Sequence, residues 1–159
     1  MGKTFPVWTP HFAYVYDVGL MQQRPSATVP LVLIADDNRD IRDMYALYLT
    51  AVGYSVETAA DGREAVVKAL TLRPEVIVMD LHMPGVDGWR AMREIRSEPK
   101  TANTPVVVLT GHDFKAYLEQ SALAEGAWSY LTKPCLPERL ASEISDWLDR
   151  RRKRAARAL

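Results

Sequence analysis

The sequence predicts an α/β fold in which five helices cover both faces of a five-stranded parallel sheet. Short apolar runs rich in Val and Ile recur along the chain, and continuous apolarity is typical of strands that are buried on both sides. A segment with apolar residues at helical spacings of three and four follows each run. Strict strand–helix alternation implies parallel strands joined by right-handed crossovers, so the sheet is doubly wound.

Five segments are predicted strands. The first, third and fourth are continuously apolar, the second alternates as an edge strand does, and the fifth is short and aromatic. In order they are LVLIA at 31–35, YSVET at 54–58, EVIVM at 75–79, VVVL at 106–109 and WSYL at 128–131.

Five predicted helices follow the strands in turn. The first ends at Gly53, a capping box of Asp61 and Glu64 opens the second, and Pro137 suits the first turn of the fifth. Their apolar faces contain Ile41, Met44, Tyr45, Tyr48 and Val52 in the first, Trp89, Met92 and Ile95 in the third, Phe114, Tyr117, Leu118 and Ala122 in the fourth, and Leu140, Ile144, Trp147 and Leu148 in the fifth; the second runs through Leu72.

A chain of 159 residues with 48% hydrophobic residues is long enough for one domain with a full core. We expect an N-terminal extension over residues 1–29, which need not be fully ordered, a domain over 30–150 and a basic tail over 151–159. Whether residues 1–20 are native is left open, because Met21 could be the natural start. The tail is too short for an output domain.

The charge is balanced overall but unevenly distributed. Net charge is zero, yet six basic residues lie between Arg150 and Arg157, so the remaining residues carry −6. This excludes a global attraction to nucleic acid or membrane, and leaves at most a weak contact with nucleic acid or an acidic partner through the tail.

The single cysteine, Cys135, cannot form a disulfide within the chain. No apolar run is long enough to span a membrane, and the N-terminus has no continuous apolar region of the kind found in signal peptides. We therefore expect a cytoplasmic protein.

Polar residues follow the buried strands at the edge where an open parallel sheet binds ligands. Asp36 and Asp37 follow the first strand, Asp80 the third, Thr110 the fourth and Lys133 the fifth. Each alone has a simpler explanation, such as helix capping by Asp37. Together, three carboxylates on one edge repel one another, and a bound cation makes the cluster tolerable. Oxygen ligands with few fixed protein contacts suit Mg²⁺.

This set of residues predicts phosphoryl transfer. A carboxylate can accept a phosphoryl group as an acyl phosphate, here on Asp80. Lys133 supplies positive charge, and the hydroxyl of Thr110 can donate a hydrogen bond to a phosphoryl oxygen.

The sequence resembles the receiver domains of response regulators in two-component systems, from about Val29 to Arg150. The matching motifs are LVLIADDN at 31–38, VIVMDLHMPGVDGW at 76–89, VVVLTG at 106–111 and SYLTKP at 129–134. The resemblance implies a flavodoxin-like sheet with strand order 2-1-3-4-5. The sequence is similar to the single-domain regulators of chemotaxis, although chemotaxis, a phosphorelay and developmental control all stay open as pathways.

The resemblance also implies a role for each site residue. Asp80 would be the phosphoacceptor, paired with Lys133. Asp37 would bind Mg²⁺ directly and Asp36 mostly through water, with the backbone carbonyl of His82 completing the ligands. Thr110 would move toward the phosphoryl group and Tyr130, the switch aromatic, would then turn inward.

The implied partners are a sensor histidine kinase or a histidine phosphotransfer protein, and a downstream protein that contacts residues 113–150. Such a domain catalyses its own phosphorylation and dephosphorylation without being classed as an enzyme. We expect a monomer or a weak homodimer. The kinase, target and pathway do not follow from the sequence.

His82, Gly111 and His112 flank the expected phosphoryl group and are candidates for tuning its lifetime. Side chains two residues beyond Asp80 and Thr110 can control the access of water, and Gly111 leaves the group open. We expect self-dephosphorylation to change in His82→Ala or His112→Ala. The alternative is that both histidines are simply exposed loop residues.

Two other functions stay open. A metal-dependent phosphatase that forms an aspartyl phosphate would need a second acid two residues after Asp80, where His82 stands. A constitutive interaction module would not need the complete set of Asp80, Thr110 and Lys133.

Overall fold

Strands and helices alternate strictly in the computed structural model, which describes residues 29–111 and 116–158. In chain order the elements are β1 (Leu31–Ala35), α1 (Arg39–Ala51), β2 (Ser55–Ala59), α2 (Gly62–Leu72), β3 (Val76–Met79), α3 (Gly88–Ser97), β4 (Val106–Thr110), α4 (Ala116–Ala124), β5 (Ser129–Thr132) and α5 (Pro137–Arg157).

The five strands form one parallel sheet with the order β2-β1-β3-β4-β5, which confirms the predicted architecture. β2 is an edge strand, and its exposed and less exposed residues alternate as its sequence predicted. The chain leaves β1 for β2 on one side and returns to β3 on the other. A crevice therefore opens at the carboxyl ends of β1 and β3, where ligands of such sheets bind.

Three strands begin one residue later than predicted. The preceding residues, Tyr54, Glu75 and Trp128, each already donate a backbone hydrogen bond. Glu75 donates to the carbonyl of Leu31 at 2.8 Å, and Trp128 to that of Val106 at 2.7 Å. For β3 and β5 the difference is thus one of where the ladder is taken to begin. Tyr54 instead donates to the carbonyl of Leu49 in α1 at 3.0 Å, so it still belongs to the end of that helix.

Each face of the sheet has its own hydrophobic core. α1 and α5 cover one face, with Tyr45, Leu49, Leu140 and Ile144 among the buried residues. α2, α3 and α4 cover the other, with Met92 among the buried residues. Burial on both faces explains why β1, β3 and β4 read as continuous apolar runs.

The helices begin at capping residues that are mostly readable in the sequence. Asp61 accepts a hydrogen bond from the backbone N–H of Glu64 at 2.8 Å, while the Glu64 carboxylate accepts one from Ala60 at 2.7 Å, so the predicted capping box forms one residue out of register. The cap of α1 is Asn38, which bonds two backbone N–H groups of the first turn. Asp37 is therefore not the cap.

α5 is the longest helix, with 21 residues, and it continues without a break across Arg150. Phe114 of the predicted fourth helix and almost all of the predicted extension 1–29 lie outside the described residues. Among the helices that the structure describes, none has the length and apolarity to cross a membrane.

Candidate functional site

Asp36 and Asp80 lie side by side because they directly follow two neighbouring strands. Their backbone N–H groups extend the ladder: Asp36 donates to Ala59 at 3.1 Å and Asp80 to Ala35 at 2.9 Å. Asp36 is 3% exposed and Asp80 is 5% exposed, whereas Asp37 is exposed to solvent. Each of the three carboxylates has an oxygen within 4.8 Å of the other two. The sheet has brought together the acids that the sequence singled out.

Lys133 joins the two buried carboxylates from the far side of the crevice. Its backbone N–H donates to the carbonyl of Thr110 at 2.8 Å, which fixes the start of the loop after β5. Its ammonium donates to Asp80 Oδ2 at 2.6 Å and to Asp36 Oδ2. Burial by itself would lower the pKa of Lys133, but the hydrogen bonds and charges of Asp36 and Asp80 outweigh burial and raise it. Lys133 is therefore a permanent cation at physiological pH.

The second oxygen of each buried carboxylate is held by backbone. Asp36 Oδ1 accepts from the N–H of Asn38 at 2.9 Å, and Asp80 Oδ1 accepts from the N–H of His82 at 3.0 Å. Arg42, which the sequence analysis did not single out, donates to the carbonyl of Asp36. Asp80 is thereby fixed in orientation before any substrate arrives, which favours reaction at one defined position.

The donor set fits a small divalent cation. Three carboxylates face one ammonium, so the cluster carries excess negative charge, and all its side-chain ligand atoms are hard oxygens. These are the ligands that Mg²⁺ prefers. Exposed Asp37 leaves one side of the cluster open to water, which Mg²⁺ retains. The contribution of the His82 carbonyl stays a prediction.

Thr110 and His82 are in direct contact, which the sequence analysis did not predict. Thr110 is the last residue of β4 and is fully buried, and its hydroxyl oxygen lies 3.2 Å from His82 Nδ1. His82 therefore lies over the site between Thr110 and solvent. Its effect on a phosphoryl lifetime stays a prediction.

Tyr130 is half-buried in β5 and packs against the core on the side of α4. Its hydroxyl is buried, and among the described residues it has no hydrogen-bond partner. Burial, followed by the negative charges of Glu119 and Asp80, raises the pKa of Tyr130. A half-buried aromatic ring whose hydroxyl has no hydrogen-bond partner among the described residues is suited to changing position.

The other predicted tuning positions are placed differently. Gly111 is exposed beside Lys133, and a Cβ added there would lie 3.8 Å from the lysine Cδ. His112 lies outside the described residues.

Two glycines shape the loop from Asp80 to Gly88. A Cβ on Gly88 would lie 2.0 Å from the carbonyl oxygen of Asp80, and one on Gly62 would lie 2.2 Å from that of Val86. Both therefore allow backbone to approach where any side chain would collide. The sequence analysis overlooked Gly62. The available signal was that each glycine directly follows a capping aspartate, Asp61 or Asp87.

Comparison with known proteins agrees with this geometry. Residues 32–145 match the model of the response regulator receiver domain. The chain is 34% identical over 122 residues to the DNA-binding dual master transcriptional regulator RpaA of Synechocystis, an alignment that covers 77% of this chain and 50% of RpaA. It thus spans about half the length of the curated relatives it matches.

Two solved structures are similar over nearly their whole length. The chemotaxis response regulator CheY4 of Vibrio cholerae has a TM-score of 0.70 and 38% identity, with 75% of this chain and 98% of CheY4 covered. A CheX–CheY complex with BeF₃ and Mg²⁺ from Borrelia burgdorferi has a TM-score of 0.70 and 26% identity, with 75% of this chain and 89% of that chain covered. With the matched model spanning most of the described sheet and its site, the chain belongs to the family of response regulator receiver domains.

Proposed function

We propose that this receiver domain is a signalling switch that is phosphorylated on Asp80 by a histidine kinase or a histidine phosphotransfer protein in the cytoplasm. The observation that carries the proposal is the position of the Asp80 carboxylate. It is buried, hydrogen-bonded to Lys133 at 2.6 Å, and within 4.8 Å of two further carboxylates. No simpler structural role explains the burial of an acid among acids.

In the proposed reaction, a carboxylate oxygen of Asp80 attacks the phosphorus atom of a phosphohistidine. The O–P bond of an acyl phosphate forms while the N–P bond to the imidazole breaks. Lys133, already bonded to Asp80, stabilises the negative charge of the transferred group without rearrangement. Asp36, Asp37 and Asp80, with the backbone carbonyl of His82, would hold Mg²⁺, which supplies charge neutralisation at the phosphoryl oxygens.

Thr110 and Tyr130 would convert the phosphoryl group into a change of shape. Thr110 would move to donate its hydroxyl to a phosphoryl oxygen, and this movement would free space for Tyr130. Phosphorylation would thus favour one of two arrangements of the domain. A partner that contacts residues 113–150 would bind one of these arrangements more tightly than the other. The domain would catalyse only its own phosphorylation and dephosphorylation, as a monomer or weak homodimer.

Intact-protein mass after incubation with acetyl phosphate tests the proposal. We expect the wild type to gain one phosphoryl group in the presence of Mg²⁺, and to gain none in EDTA. The Asp80→Ala variant should gain none in either condition, because it lacks the nucleophile. Phosphorylation of Asp80→Ala to the wild-type extent would contradict Asp80 as the acceptor. Continuous release of phosphate from a small ester, many turnovers per chain, would instead support a phosphatase.

A further inference from the structure

A second surface with ligand-binding character lies at the opposite end of the sheet from Asp80. Trp128, just before β5, and Trp147, in α5, meet edge to face with ring centroids 6.4 Å apart and planes at 83°. The guanidinium of Arg150 lies 5.4 Å from the centroid of Trp128, and that of Arg151 lies 5.4 Å from the centroid of Trp147. These distances fall within the range of cation–π contacts.

The inner face of α5 changes its chemistry where the helix passes the end of the sheet. Its buried residues are Leu140, Ile144 and Leu148, at helical spacing. Beyond them, Arg150, Arg151, Arg154 and Arg157 follow Trp147 at spacings of three and four, and all four are exposed. One side of the helix is therefore apolar against the core and then arginine-rich beyond it.

The arginines and tryptophans together line a groove of about 530 Å³. A second groove shares Trp128, Trp147, Arg151 and Arg154 with the first and extends to Arg73 and Lys100. Glu75 is the acidic side chain among the residues lining the two grooves, and it lies 3.6 Å from Arg151. The two grooves form one continuous positive surface around an aromatic pair, which we call the Trp–Arg surface.

A solvated helix end accounts for only part of this arrangement. Cations in the last turn, Arg154 and Arg157, are favoured by the helix dipole. The dipole does not explain why Arg150 and Arg151 lie over indole rings. Arginines beside an aromatic platform are the combination that binds phosphates and stacks bases.

We propose that the Trp–Arg surface binds single-stranded nucleic acid, with arginines on the phosphates and a base against Trp128, which is 37% exposed. The faces of bases are stacked inside a duplex, so an exposed indole adds nothing to duplex binding. A membrane surface is disfavoured because, among the residues lining the two grooves, Trp128 and Trp147 are the only large apolar side chains, too few for an apolar face that enters a bilayer. The inference goes beyond the proposed function and does not require phosphorylation of Asp80.

Fluorescence anisotropy of a labelled 12-nucleotide oligothymidylate tests the proposal on the full chain. We expect binding that weakens with salt, with a slope of log K against log salt of about −2 to −3 for three or four phosphate contacts. The triple variant Arg150→Gln, Arg154→Gln, Arg157→Gln should raise the Kd by about tenfold or more. Trp128→Ala should raise it by at least about fivefold, and Trp128→Phe by less, because phenylalanine retains an aromatic face.

A matched control changes the same charge at the other end of the sheet. Arg39→Gln, Arg63→Gln, Arg90→Gln alters residues at the starts of α1, α2 and α3, and should leave the Kd within about twofold. Equal losses in the two triple variants would overturn the proposal in favour of net charge alone. It would also be overturned by equal or tighter binding of a duplex of the same length, by stronger binding to vesicles containing anionic lipid, or by no measurable binding at low salt.

Discussion

At the residue scale, the proposed phosphoryl site places three carboxylates close together, an arrangement that we expect to favour chemistry over stability. Lys133 is the cation shared by Asp36 and Asp80, and Asp37 adds a third carboxylate near the same position. Removing one negative charge should therefore relieve repulsion while it weakens the cation site. Functional sites commonly show this opposition between stability and activity.

The variant Asp37→Asn tests this balance. In EDTA we expect its free energy of unfolding to exceed that of the wild type by roughly 0.5–2 kcal/mol, because the repulsion among carboxylates decreases. Adding Mg²⁺ should stabilise the wild type more than the variant. Urea unfolding followed by circular dichroism measures both.

The control for this experiment is Asp43→Asn, a change of the same type on α1, the helix that follows Asp37. Asp43 lies 3.5 Å from Arg39 in an exposed ion pair and does not belong to the carboxylate cluster. It should be no more stable than the wild type and should respond normally to Mg²⁺. An Asp37→Asn variant that is less stable than the wild type in EDTA would contradict the account of repulsion.

At the scale of elements, helix starts hold the loop that carries Asp80. The N–H of Gly88, the first residue of α3, donates to the carbonyl of Leu81 at 3.0 Å. The N–H of Gly62, the first residue of α2, donates to the carbonyl of Val86 at 3.1 Å. Two helices thus fix the loop after β3 by backbone contacts, which require glycine at both positions.

Gly88→Ala should therefore damage both stability and phosphorylation. Its Cβ would collide with the carbonyl oxygen of Asp80, so the loop must shift. We expect a loss of about 1–3 kcal/mol in the free energy of unfolding, the usual cost of overpacking, and slower phosphoryl gain by intact-protein mass. Gly111→Ala is the matched control for stability, because among the described residues its added Cβ meets no atom closer than 3.8 Å. Equal stability of the two variants would show that the close approach of Gly88 to the carbonyl oxygen of Asp80 does not contribute to the stability of the fold.

For the whole molecule, the parallel sheet separates two surfaces. The proposed phosphoryl site lies at the carboxyl ends of the strands, and the Trp–Arg surface lies at the opposite end. β4 and β5 connect the site to the surface around α4, since Thr110 ends β4 and Tyr130 lies in β5. A change at Asp80 should therefore reach α4 and β5 before more distant elements.

Hydrogen–deuterium exchange with BeF₃⁻ and Mg²⁺, which imitate the phosphoryl group, tests this route. We expect altered protection over residues 116–132 and little change in α2. Thr110→Ala should lose most of the effect, since it lacks the hydroxyl that responds to the ligand. The same change in Thr110→Ala, or a change confined to α2, would rule out the proposed route through Thr110 and Tyr130.

The sequence was sufficient to predict the five strands, the five helices and the strand ends that carry Asp36, Asp80, Thr110 and Lys133. These follow from local signals: apolar runs, helical spacing and capping residues. A parallel topology then places all strand ends on one edge, so the candidate site could be predicted without coordinates.

Contacts between distant segments were decided only by the tertiary structure. The approach of His82 to Thr110, of Gly62 to Val86, and of Trp128 to Trp147 joins residues from separate elements. Such contacts depend on how loops and helices pack, which no local pattern records. The amino-acid sequence thus determined which groups reach the edge of the sheet at the carboxyl ends of the strands. Packing determined which of these groups are in contact, and it placed the arginines of α5 against the two tryptophans.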